Sequence, residues 1–178
     1  MKIEKGRNRF VLVFKNFVVK FPRIRLIKAI QRIYRATKGG YLLKCLSWNS
    51  TISMSPRHFL LRGLMDNFGE FIFYLTTQSK CVKPTYFSLF GLLNIQKGGN
   101  ILILHSEAEY VNFFGQLYDI TNGEVFKDAH TFSNPKNFCR ENEKLKMVDY
   151  GNTKVRNILL KYGDKVLKQF NFTGLTRC

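Results

Sequence analysis

Residues 9–21 read RFVLVFKNFVVKF, two runs of β-branched and aromatic residues split by Lys15-Asn16. Such residues suit a pleated, half-buried surface, and a short polar pair between two such runs is a hairpin signal. Two strands are therefore expected, over 9–14 and 17–21, with Gly6 just ahead of the first and Pro22 ending the second. Lys20 is the one charge in the second run. An isolated ammonium in an apolar strand either guards a sheet edge or points into a cleft.

Beyond the hairpin the period changes. Leu26, Ile27, Ile30, Ile33 and Tyr34 recur at helical spacing between Ile24 and Lys38, with Arg25, Lys28, Arg32 and Arg35 around them and Gly39-Gly40 as the stop. That helix is either a phosphate- or membrane-binding element or a surface helix with a solvated charged face. Ser55-Pro56 is a helix start, Ser as cap and Pro in the first turn, and the helix is expected to run to about Thr77 with Glu70 near its end. Strands are expected over 85–96 and 101–105, joined by a turn at Lys97-Gly98-Gly99-Asn100. A helix over 107–120, a stretch rich in turn formers over 121–140, a short buried strand over 145–148 and a helix over 153–170 complete the chain. Hairpins with segregated helices indicate an α+β fold with a small antiparallel sheet.

The 178 residues allow one domain with a core of its own, or two very small lobes sharing a cleft. With 17 Phe, that core should be aromatic and bulky. Against 12 Asp and Glu stand 29 Lys and Arg, a formal +17, so the surface attracts polyanions: nucleotides, nucleic acid or anionic lipid. Cys45, Cys81, Cys139 and Cys178 show no zinc spacing and read as reduced thiols. The charged N-terminal residues form no apolar signal core, and no apolar run is long enough to span a membrane, so a cytoplasmic compartment is expected.

Residues 144–151, KLKMVDYG, deliver Asp149 at the end of an apolar strand, followed by an aromatic residue and a glycine that permits a sharp departure. Asn137 lies twelve residues earlier, in NPKNFC. An Asn and an Asp supply the hard oxygens that Mg²⁺ takes together with phosphate.

In these motifs the chain resembles the protein-kinase-like superfamily, most closely its compact bacterial sugar and lipopolysaccharide-core kinases. Asp149-Tyr150-Gly151 resembles D-F-G, Phe17–Phe21 resembles the strand that carries the nucleotide lysine, and GRNRFV at 6–11 stands where a glycine loop would cover phosphates. The resemblance implies Lys20 on the phosphates and Glu70, 50 residues on, as its partner. It implies Asn137 and Asp149 as the ligands of Mg²⁺ bound with ATP. Gly6 is the only glycine in the phosphate loop, so Arg7 and Arg9 are expected to supplement its contacts. The family's base position, five before Asn137, is Phe132, which cannot accept a proton. Asp128 is the substitute, with His130 beside it and Lys136 near the transferred phosphate. The implied organisation is one kinase-like domain over 1–178, a sheet-bearing lobe to 105 with inserted helices and a reduced helical lobe over 106–178. The implied function is ATP- and Mg²⁺-dependent phosphoryl transfer to an anionic acceptor. The alternatives are a pseudokinase regulatory module and a basic nucleic-acid-binding protein.

Overall fold

A computed structural model of the chain describes residues 2–6, 8–47 and 55–175. The expected hairpin forms from β2 (Arg9–Val13) and β3 (Phe17–Pro22), closed by Phe14 N–H donating to Phe17 O at 2.9 Å. It is the centre of a five-stranded antiparallel sheet with β1 (Lys2–Lys5), β4 (Thr85–Ser88) and β5 (Asn94–Lys97), ordered β1-β2-β3-β5-β4. β1 has no sequence signal because KIEK is an edge strand, held by its ladder to β2 while Ile3 stays exposed.

One expectation is corrected here. The run 85–96 is not one strand paired with 101–105; it folds on itself into the β4–β5 hairpin. Phe90 and Gly91 turn the chain with φ of 48° and 79°. A Cβ on Gly91 would lie 2.3 Å from the Leu64 carbonyl oxygen, so that turn needs glycine for space as well as for conformation. Its apolar flanks, Leu89 and Leu92, conceal it from a periodicity reading. Residues 98–104 instead run as a link, touching the second half through an Ile101–Cys139 bridge and Leu102 N–H to Phe138 O.

Among the described residues, three helices lie between β3 and the helix that carries Glu70: α1 (Leu26–Lys38), α2 (Leu42–Leu46) and α3 (Arg57–Leu60). The helix expected from Ser55 is thus broken at Leu61, and α4 (Arg62–Thr77) follows. α4 packs across β3, β4 and β5. The second half contains α5 (Glu107–Ile120), a 3-10 turn at Glu124–Asp128, α6 (Ala129–Phe132), a second 3-10 turn at Pro135–Asn137, the hairpin β6 (Phe138–Glu141) and β7 (Lys144–Met147), and α7 (Thr153–Gln169). Ser106 caps α5 by accepting from Glu109 N–H, and Glu109 accepts in return from His105 N–H, close to a capping box. The core is aromatic, as expected: Phe73, Phe113, Phe132, Phe138, Tyr150, Tyr162 and Phe170 belong to one buried cluster. Cys81 and Cys139 are buried free thiols, and Cys45 is buried as well. Among the described residues no helix is long and apolar enough to cross a membrane.

Candidate functional site

Residues paired across an antiparallel sheet project on the same face. The ladder sets Val11 opposite Lys20, Val13 opposite Val18, Lys20 opposite Asn94 and Val18 opposite Gln96. Arg9, Val11 and Val13 therefore share a face with Val18 and Lys20, and that face meets α4 and the cleft. Lys20 Nζ donates to Glu70 Oε2 at 2.8 Å and to the Val148 carbonyl oxygen at 2.7 Å. Glu70 is wholly buried and saturated: its other oxygen accepts from Arg9 Nη1 at 2.7 Å and from Tyr150 N–H at 3.3 Å. The ion pair thus ties the sheet, α4 and the chain leaving β7 to one another.

Asp149 follows β7 and accepts from Arg9 Nη2, with its side chain 45% exposed. Tyr150 is fixed from both sides: its hydroxyl donates to Lys83 O at 2.7 Å and contacts Thr85 Oγ1 at 2.8 Å, and its ring packs on Phe73 of α4. Gly151 has no positive φ; its role is space, since a Cβ there would sit 2.6 Å from Asp66 O and 2.8 Å from Asp66 Cα. The expectation of a conformational glycine is corrected to one of close approach to α4.

The electrostatics follow from this packing. Burial lowers the Lys20 ammonium below the usual lysine range, against the pull of Glu70. Burial opposes the Arg9 charge too, but Asp149, Glu70 and Asp66 outweigh it and hold the guanidinium above its ordinary value. Asp149 is held below the usual carboxylate range because Arg9 and Lys20 outweigh its desolvation. Asp149 is therefore an anion at neutral pH, aimed at a cleft of about 960 Å³, within the range of small-ligand sites. Val11, Val13 and Val18 line one side of it, and Ile101 and Ile103 of the connecting link line another.

Gly6, Lys20, Asp128, His130, Lys136, Asn137 and Asp149 all line this cleft. Asn137 Nδ2 donates to Thr131 O at 2.9 Å, which leaves its Oδ1 as the free acceptor, and Asn137 O accepts from Val148 N–H at 2.8 Å. The Asn137 loop and the Asp149 strand are thus joined through the backbone. Asp128 is held by Asn152 Nδ2, while His130 and Lys136 are exposed on the rim. Glu70 sits behind the cleft wall as the partner of Lys20. Arg7 lies outside the described residues. Arg9 lines the cleft, but its guanidinium is taken up by Glu70, Asp149 and Asn67 rather than being presented to a phosphate.

Sequence reasoning missed the polar frame behind these residues. Asn67 donates to Lys20 O at 3.3 Å and Gly91 O at 2.9 Å, and Asn94 donates to Asn67 O at 2.6 Å. The alternation Arg9-Val11-Val13 carried the signal for Arg9, since it sets Arg9 on the Lys20 face. Nothing in the sequence marks Asn67. Mg²⁺ needs only one or two protein oxygens beside phosphate and water. Asp149 as the anion and Asn137 as a neutral oxygen fit that requirement, and among the described residues no group of three His, Cys, Asp or Glu converges. A second cavity, of about 620 Å³ beside Arg140, Phe170 and Phe172, contains none of these groups. Comparisons with known proteins found no matching family model, no matching curated protein and no matching solved structure.

Proposed function

We propose that the chain is a minimal kinase-like phosphotransferase that binds ATP with Mg²⁺ in the cleft beneath the sheet. The observation that carries this reading is the buried Lys20–Glu70 pair facing the same cleft as the ionised Asp149. A buried lysine neutralised on one side by Glu70 is positioned to hold phosphate oxygens on the other. Val11, Val13, Val18, Ile101 and Ile103 offer apolar walls for a base. Asp149 and the Oδ1 of Asn137 would hold Mg²⁺, which when bound neutralises charge on the phosphates. In the transfer, the bond from the γ-phosphorus to its bridging oxygen breaks as the acceptor hydroxyl oxygen bonds to phosphorus. Asp128 takes the hydroxyl proton, and Lys136 lies on the rim for the developing charge. The formal +17 favours an anionic acceptor. Most of the rate enhancement in such a site comes from positioning and electrostatics.

A second reading, nucleotide binding without turnover, is favoured by Arg9: its guanidinium occupies the Asp149 carboxylate that a metal ion would need. Thermal shift with ATP and Mg²⁺ tests the site, and Lys20→Ala, folded by circular dichroism, should lose the shift. An unchanged shift in that variant removes Lys20 from the site. A shift with ATP that Mg²⁺ does not enlarge, and no phosphoryl transfer, selects the second reading.

A further inference from the structure

Helix α1 is laid down on its smallest side. Ala29 and Ala36 are its buried residues and the helix packs on α2 and α3, while Leu26, Ile27, Ile30 and Tyr34 are each more than 60% exposed. At 100° per residue these four fall within one arc of about 100°, with Ile33 at its border. Lys28, Arg35 and Lys38 follow on the adjoining arc, and Lys38 lies over the Tyr34 ring at 5.8 Å. A helix that buries alanine and exposes isoleucine has its apolar face directed away from its own protein. The charge of α1 and of the two helices it packs on is of one sign: from Lys5 to Met65 the sequence holds no Asp or Glu. At 13 residues α1 is too short to cross a bilayer but of the right kind to lie in its interface, aliphatic side down and cations toward headgroups.

We propose that the α1 face docks on an anionic membrane surface. Charge complementarity selects this occupant. A second copy would set this acid-free segment against itself, and nucleic acid would engage the cations while leaving the aliphatic arc in water. A bilayer of acidic lipid satisfies both arcs at once. The inference is independent of nucleotide binding and stands or falls without it.

The test is flotation of the whole chain with vesicles of phosphatidylcholine, with and without phosphatidylglycerol, for wild type and for the folded double variant Ile27→Ser/Ile30→Ser. Wild type should bind the phosphatidylglycerol vesicles and release as salt rises. The double variant should bind them at least about tenfold more weakly, since both positions are open in the free protein and the loss is of apolar burial alone. Failure of wild type to bind, or equal binding by the variant, overturns the proposal. So does a concentration-dependent dimer that the variant abolishes, which makes a second copy the occupant. Duplex RNA binding that the variant retains, together with no vesicle binding, makes the face a polyanion surface and overturns it as well.

Discussion

The cleft has two walls of different construction. On the sheet side, Lys20, Arg9 and Glu70 are buried, and Glu70 is saturated by Lys20, Arg9 and the Tyr150 amide. On the loop side, Asp128, His130 and Lys136 sit on short helical turns, half-buried or exposed, and Asp128 is anchored by the Asn152 side chain. The first wall is a structural element as well as a binding one, so its charges cannot be changed without loss of stability. The second can vary with little effect on the fold, which suits the part of a site that meets a variable acceptor.

Glu70→Leu should give the largest effect that separates the walls. It leaves Lys20 and Arg9 buried without their shared carboxylate, and urea unfolding should show a loss of about 3–5 kcal/mol. A loss under about 1 kcal/mol would mean that the sheet wall is not held by this pair. Gly151→Ala should cost about 1–3 kcal/mol, because the new methyl meets the α4 backbone at Asp66. Asp149 should move with it, so ATP binding weakens in step.

The acid limb of stability compares a carboxylate outside both walls with one in the cleft. Glu141 is pushed down to about 2, first by the hydrogen bond from Lys146, with Lys83 and Lys97 adding to it against its burial. Asp149 is lowered as well. Both carboxylates therefore bind protons less readily when folded, so their stabilisation is complete above about pH 4–5 and is lost as pH falls, for Glu141 toward about 2. Asp66, raised by burial, acts in the opposite sense. Thermal unfolding between pH 5 and pH 2 should fall in wild type and fall less in Glu141→Gln. Equal slopes would remove Glu141 from the account. The smallest structural effect belongs to the loop wall: Asp128→Asn should leave stability within about 1 kcal/mol and ATP affinity unchanged, while lowering any phosphoryl transfer by about 10²- to 10⁴-fold. A matching fall in affinity would make Asp128 a binding residue.

The same contrast explains what was legible in the sequence. The β2–β3 hairpin follows from its two β-branched and aromatic runs and α7 from its amphipathic spacing, with α5 and β7 also near their expected places. The sequence allows Lys20 either at a sheet edge or facing a cleft, and the pairing of β3 with β5 and the bond to Glu70 decide it. The Phe90-Gly91 turn was hidden by its apolar neighbours, and β1 by having no apolar side to bury. Arg9 was directed toward phosphate because sequence shows a cation near a glycine but not the two carboxylates, 61 and 140 residues away, that claim it. Asn67 gave no signal, because an amide that satisfies two backbone carbonyls resembles any polar helical residue until the helix is docked.

Isothermal titration of ATP, with and without Mg²⁺, into wild type and Asp149→Asn tests the central claim most directly. The two walls form one nucleotide site if Mg²⁺ strengthens ATP binding to wild type by at least about tenfold and that gain disappears in the folded variant, where Arg9 keeps its contact with Glu70. No ATP binding by wild type, or the same Mg²⁺ gain in Asp149→Asn, would contradict it.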